Sequence, residues 1–316
     1  MIGIVVRRLG GALPIMLIVS LLTFGMIHLI PGDPAIAIAG LSATPEQIAN
    51  IRHDLGLDQP ILGQLWRWYA NLAIGDLGRS LLLGQPVVHV MLQRLPVTLA
   101  LSAYALILTL LVGLISGIAA ALRQNTWVDQ AAMVFAMLGI SLPNFYLGLL
   151  MIILFAVDLR WLPTGGYIAF TTDPLGWLAT STMPAISQAL LLAGLLARIT
   201  RSTMLEVLRQ DYIRTARAKG LPNRRVVLKH ALANALIPIT TVVGIIVSLL
   251  ISGSVVTETL FSIPGVGQVL TQAVLNRDYP MVQGGLLVTT ALLVLVNILV
   301  DVCYALLDPR VRYDGA

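Results

Sequence analysis

Charge is scarce in this sequence: 11% of its 316 residues are Asp, Glu, Lys or Arg, against roughly a quarter in soluble domains. A chain of this size cannot cover a water-facing surface with so few charges. Its 57% hydrophobic content and mean hydropathy of +0.88 place that surface against lipid. A single cysteine, Cys303, excludes an intrachain disulfide framework, and its apolar run marks it as a small buried hydrophobe. The four histidines (His28, His53, His89 and His230) are scattered without metal-ligand spacing, so no metal is expected. No G-x-x-x-x-G-K-S/T run occurs, so the chain has no phosphate loop of its own. The net charge of +5 comes without a basic stripe interleaved with aromatics, which sets nucleic acid aside as a partner. No Ser–His pairing, His cluster or paired carboxylates recur at helical spacing, so catalytic residues are not expected.

The sequence is rich in long apolar runs. A helix needs about 20 mostly apolar residues to cross roughly 30 Å of hydrocarbon. Candidate spans are Leu9 to Ile30, Pro96 to Leu122, Ala131 to Val157, Pro184 to Ile199, Ala235 to Thr257 and Val282 to Leu307. Arg7-Arg8 before the first run also fits a secretory signal, but an apolar stretch of about 22 residues exceeds the roughly 7–15 of a signal core. The fourth span is short, because Arg198 and Arg201 follow it closely. Basic residues collect on the cytoplasmic side of membranes. With six spans and both termini cytoplasmic, 14 of the 20 Lys and Arg fall inside and six outside; without the fourth span, the basic segment after it would lie outside. The expected fold is an all-α, six-helix transmembrane bundle.

The divisions are residues 1–30 (first span), 31–95 (outside), 96–307 (five spans) and a cytoplasmic tail, 308–316. In the outside segment, Thr44-Pro45-Glu46-Gln47 starts one short helix, with Thr44 as cap. A second, after Pro60, carries Trp66, Trp68 and Tyr69, which suit a membrane interface. Both are expected on the outer membrane surface. The second outside loop, Asp158 to Met183, reads as irregular, and Glu258 to Met281 forms a third outside segment ending in a short amphipathic stretch.

Between spans four and five, the segment from Arg201 to Lys229 holds eight of the 20 basic residues. Asp211 to Lys219 suits a helix, Gly220 a left-handed cap, and Leu221-Pro222 blocks continuation. Asn223 is expected to cap the next helix. Ala216 and Ala218 keep the surface of this bent rod low enough to enter a groove on another protein. A basic loop serving only topology and anionic lipid contact fits the same residues.

The run Asp211-Tyr212-Ile213-Arg214-Thr215-Ala216-Arg217-Ala218-Lys219-Gly220 resembles the EAA loop of ABC-importer permeases. More narrowly, it resembles that of B-type permeases of the dipeptide, oligopeptide, nickel and glutathione importers. Leu29-Ile30-Pro31-Gly32-Asp33-Pro34, Gly75-Asp76-Leu77-Gly78-Arg79-Ser80, Trp161-Leu162-Pro163-Thr164-Gly165-Gly166, Glu258-Thr259-Leu260-Phe261-Ser262-Ile263-Pro264-Gly265, Arg277-Asp278-Tyr279-Pro280 and the ending Leu307-Asp308-Pro309-Arg310-Val311-Arg312-Tyr313 agree, in order. Arg214, Thr215 and Ala233 depart from the general motif, where Glu, Ala and Pro stand; RTARAKG is the peptide-importer wording.

The resemblance implies a type I ABC importer permease in a bacterial cytoplasmic (inner) membrane, translocating di- or oligopeptides by alternating access. It implies a second homologous permease, two cytoplasmic ATPases carrying ATP and Mg, and an extracytoplasmic substrate-binding protein as partners. It also makes Tyr212, Arg214, Thr215, Ala216, Arg217, Ala218, Lys219 and Gly220 the ATPase-coupling residues. The competing class, an ion-driven secondary transporter, usually carries intramembrane carboxylates near the midplane, whereas Asp301 stands near a span end.

On span five Thr241, Gly244, Ser248 and Ser252 share one face, which reads either as a lining of the substrate pathway or as a small-residue packing face. Gly113 and Gly117 suit close packing. Ser141, Pro143 and Asn144 mark a kink in span three, and Asn144 must face protein or the pathway. Asn297 and Asp301, one turn apart, satisfy each other or a neighbour. Outside, Glu258, Arg277 and Asp278 are either gate or binding-protein contacts, or ordinary solvated loop charges.

Overall fold

The computed structural model describes residues 2–29, 35–36, 43–54 and 56–307. The 30–34 part of the motif after span one, the tail 308–316 and the side chain of Cys303 lie outside the described residues. Apart from one isolated bridge between Arg79 and Pro86, the regular elements among them are helices. They are α1 (Ile2–Leu29), α2 (Pro45–Asp54), α3 (Ile61–Ala73), α4 (Val87–Leu122), α5 (Trp127–Ser141) and α6 (Asn144–Asp158). There follow α7 (Pro174–Leu208), α8 (Asp211–Ala218), α9 (Asn223–Leu260), α10 (Val266–Leu275) and α11 (Tyr279–Leu307). The helices α1, α4, α7, α9 and α11 are long and apolar enough to cross a membrane, and the bent pair α5–α6 makes a sixth span.

The described residues divide into two compact units, one of Thr98–Ile263 with 2–5 and 296–307, the other drawn from Val6–Val97 and Pro264–Leu295. In the first unit the contacts fix the relative directions of the helices. Tyr104 meets Thr182 at 3.2 Å, and the Thr109 hydroxyl reaches the Ala189 carbonyl at 3.5 Å. Gly113 and Gly117 then lie against Leu196 and Thr200. Residue numbers rise together, so α4 and α7 are parallel. Asp129 pairs with Arg201, Gly194 lies on Ala136 and Gly139 on Leu190. These numbers run oppositely, so α5 and α7 are antiparallel. Gly244 meets Val300 and Ser248 meets Asn297, so α9 and α11 are antiparallel as well. This alternation is what successive crossings require.

The expected kink in span three is a 100° break. Pro143 supplies no N–H, and Leu142 before it is extended (φ −91°, ψ 125°), as a residue preceding proline prefers. The broken pair still crosses. Asp129 of α5 sits near the end of α7 that leads into α8, whereas Gly148 of α6 lies on Leu260 and Phe261 at the far end of α9.

Several boundaries differ from those expected. Span two begins at Val87, with Pro96 inside the helix. Span four runs from Pro174 to Leu208. Asp173 caps it by accepting the Leu175 N–H at 3.0 Å, Pro174 occupies the first turn, and Arg201 is neutralised by Asp129. The irregular outside stretch therefore shrinks to 159–173. Pro222, not Asn223, is the cap residue of α9.

The second unit has its own core of Val87, Val90, Met91, Val266, Val269, Leu270, Ala273, Met281 and Val282. Val87, Val90 and Met91, at the start of α4, thus share a core with α10 and the start of α11. Thr44 caps α2 reciprocally with Gln47, at 3.3 and 2.9 Å. The other outside helix, α3, runs antiparallel along α1 through His28–Gln64, Phe24–Trp68 and Ser20–Tyr69.

Candidate functional site

The segment that joins α7 to α9 is built as the sequence requires. Only Arg209 and Gln210 separate α7 from α8. Asp211 stabilises the first turn of α8, and the Thr215 hydroxyl donates to the Asp211 carbonyl at 3.0 Å. Gly220 takes φ +76°, a left-handed conformation that L side chains adopt only with strain. Its N–H donates to Arg217 at 2.9 Å and the Leu221 N–H to Ala216 at 3.4 Å, closing the helix end.

Ile213 and Ala216 form the buried face of α8, which packs on the turn Val226–Ala231. Tyr212, Arg214, Thr215, Arg217, Ala218, Lys219 and Gly220 are exposed. Arg214 makes only a surface contact with Asp211, at 3.3 Å, worth little in water. Partial burial raises the pKa of the Tyr212 phenol. Of the eight residues named from the sequence, Ala216 alone points inward. Ile213, absent from that set, anchors the helix; its three-residue spacing from Ala216 was the available signal.

The span-five face divides. A Cβ at Gly244 has no room beside Val300, and the Ser248 hydroxyl donates to Asn297 Oδ1 at 2.6 Å, so both pack on α11. Asn297 therefore finds its partner on the neighbouring helix. Thr241 and Ser252 stay exposed, and Asn144, half-buried, begins α6.

Glu258 and Asp278 are not solvated loop charges. Glu258 lies within α9, fully buried, and accepts the Thr98 hydroxyl at 2.6 Å. Asp278, 2% exposed, accepts Ser80 Oγ at 2.5 Å, Leu82 N–H at 3.1 Å and Met281 N–H at 3.2 Å. It caps α11 and fastens the 78–83 loop to it. Arg277 is exposed, with φ +57°.

The sequence reading passed over one further pair. Arg201 grips Asp129 through Nε (2.5 Å) and Nη2 (2.7 Å), and Asp129, 3% exposed, also accepts the Asn125 N–H at 3.0 Å. An Asp and an Arg at the ends of apolar helices, each needing a counter-charge, were the signal.

Known proteins agree with this architecture. Residues 110–313 match the family model of the binding-protein-dependent transport system inner membrane component, and residues 1–102 match the model of its N-terminal region. The chain is 51% identical over 314 residues to a putative peptide transport system permease protein of Brucella abortus (strain 2308), covering 99% of this chain and 100% of that one. It is 42% identical over 335 residues to a di/tripeptide transport system permease protein of Pseudomonas aeruginosa, and 42% over 313 to a glutathione transport system permease protein of Salmonella paratyphi A. Each covers 99% of this chain and 100% of the relative. In fold it resembles a chain from the inward-facing MetNI methionine ABC transporter (TM-score 0.56, 17% identity, 70% of this chain and 97% of that one). The chain belongs to the family of binding-protein-dependent transport system inner membrane components and is a multi-pass permease subunit of the ABC-importer type.

Proposed function

We propose that this permease carries di- or oligopeptides across the cytoplasmic (inner) membrane of a bacterium by alternating access. Its partners are a second homologous permease, two ATPases that bind ATP and Mg in the cytoplasm, and an extracytoplasmic binding protein that delivers the peptide. End-to-end similarity to permeases named for peptides, di/tripeptides and glutathione, itself a tripeptide, carries the substrate class.

The ATPase-docking element is α8, and its support is geometric. A short helix with an apolar inner face is held to the bundle by Ile213 and Ala216, while Tyr212, Arg214, Thr215, Arg217, Ala218 and Lys219 stand free for a partner. ATP-driven closure of the ATPases moves α8, and the spans follow as rigid bodies. Thr241 and Ser252 remain the pathway candidates on α9. Arg277 is the exposed candidate for binding-protein contact, whereas Glu258 and Asp278 act from buried positions by holding their surroundings.

Purification in mild detergent tests the assembly: a second permease and P-loop ATPases should accompany this chain in stoichiometric amounts. Recovery of this chain alone would return weight to an ion-driven carrier. Uptake of radiolabelled dialanine, trialanine and glutathione into proteoliposomes tests the substrate class. Gly220→Pro should insert normally yet abolish ATP-dependent uptake, because proline fixes φ near −65° where +76° is required. Normal uptake by that variant would remove the coupling role of α8.

A further inference from the structure

The ion pair between Asp129 and Arg201 has no place in the roles assigned so far, yet it is among the most fully built polar contacts in the bundle. Both guanidinium bonds engage the carboxylate, one to each oxygen. Such a fork fixes distance and orientation together. A partly buried pair such as this, with Arg201 25% exposed, adds little net stability, so its distinguishing contribution is register.

The pair joins three elements. Arg201 lies on α7 about two turns before Leu208, where the chain passes through Arg209 and Gln210 into α8. Asp129 lies in the first turn of α5. Through the Asn125 N–H, the same carboxylate holds the tight turn between α4 and α5, where Asn125 takes φ +63°. Farther along, α5 and α7 approach without room for a side chain. A Cβ at Gly194 would stand 2.6 Å from the Ala136 carbonyl oxygen, and one at Gly139 would stand 2.8 Å from that of Leu190. On its other side α7 meets α4 as closely, at Gly117 against the Ala197 carbonyl (2.6 Å). These smooth contacts resist compression but oppose sliding and twisting weakly. The ion pair opposes both.

We propose that Asp129 and Arg201 form a clasp that passes movement of α8, received through α7, into α5 and the α4–α5 turn. Both are then positioning residues for transport. The inference rests on the coupling role proposed above for α8. Without the clasp, α7 yields alone when α8 is displaced, and ATP hydrolysis proceeds without its full share of transport.

The test uses the complete transporter in proteoliposomes for hydrolysis and uptake, and a separate Cys303→Ser, Ala218→Cys preparation for cross-linking to the ATPase. ATP hydrolysis and uptake of radiolabelled dialanine, trialanine and glutathione are measured for Asp129→Asn, Arg201→Gln and the exchanged pair Asp129→Arg with Arg201→Asp. The cross-link and hydrolysis should persist in the single variants, while peptide taken up per ATP falls roughly tenfold, a coupling change of ordinary size. The exchanged pair should restore it. Unchanged uptake per ATP in the single variants overturns the clasp. So does equal failure of single and exchanged variants to assemble, which marks a purely structural contact. Absence of the cross-link in the parent protein overturns the coupling reading of α8 and the clasp with it.

Discussion

At the scale of single residues, Asp278 and Glu258 show how burial reverses the meaning of an acidic side chain. Asp278 accepts three bonds, from Ser80, Leu82 and Met281. Asp278→Ala leaves those donors unmatched, at about 1–3 kcal/mol for each one that water cannot reach. Hydrogen exchange at the Leu82 and Met281 amides should quicken in this variant while the amides of α7 keep their protection. Equal quickening throughout would mean global destabilisation instead. Neither acid was legible as buried from the sequence. Ser80 precedes Asp278 by 198 positions and Thr98 precedes Glu258 by 160, and no local pattern announces a partner so distant. Gly220 was legible, because Gly-Leu-Pro states the turn within three residues and the left-handed φ follows. Gly194 is constrained differently, by space: Gly194→Val should lower the melting temperature of the detergent-extracted complex, as overpacking costs about 1–3 kcal/mol.

At the scale of elements, existence was easier to read than extent. The apolar runs located all six crossings, since hydropathy is a property of the run itself. Their ends were set by events outside the run. Pro96 and Pro184 looked like helix starts, yet both lie inside helices, which membrane bundles tolerate when neighbouring groups satisfy the freed carbonyls. Arg198 and Arg201 looked like a stop, but Asp129 lets α7 continue two more turns. The short helix α8 depends on one apolar face. Ile213, fully buried, is its main anchor, and Ile213→Asp would bury a carboxylate at the apolar contact that holds α8. That substitution should release α8 from the Val226–Ala231 turn, and trypsin should then cut at Arg214 and Arg217 faster in the ATPase-free chain. Cleavage at the parent rate would show that the flanking turns, rather than Ile213, hold the helix.

At the scale of the whole chain, orientation rests on two independent facts. Helix registers give alternation: α4 parallel to α7, α5 antiparallel to α7, and α9 antiparallel to α11. Alternation alone does not say which end is cytoplasmic. The distribution of Lys and Arg does, because 14 of 20 fall on one side when six spans are counted. The tally depends on counting the broken α5–α6 pair as one crossing, and the parallel register of α4 and α7 requires that count. Were it a re-entrant loop, every later segment would change sides, and the basic α8 segment would face outward. Cysteine labelling separates the two arrangements. In a Cys303→Ser background, Arg160→Cys in the 159–173 loop should react with a membrane-impermeant maleimide in spheroplasts, and Arg217→Cys on α8 should react only after permeabilisation. Both positions are exposed in this chain, so in cells that lack the partner ATPases silence at either would report sidedness and not burial. Labelling of Arg217→Cys from outside would make the 100° break a return to the same face, and it would leave α8 where no cytoplasmic ATPase can reach it.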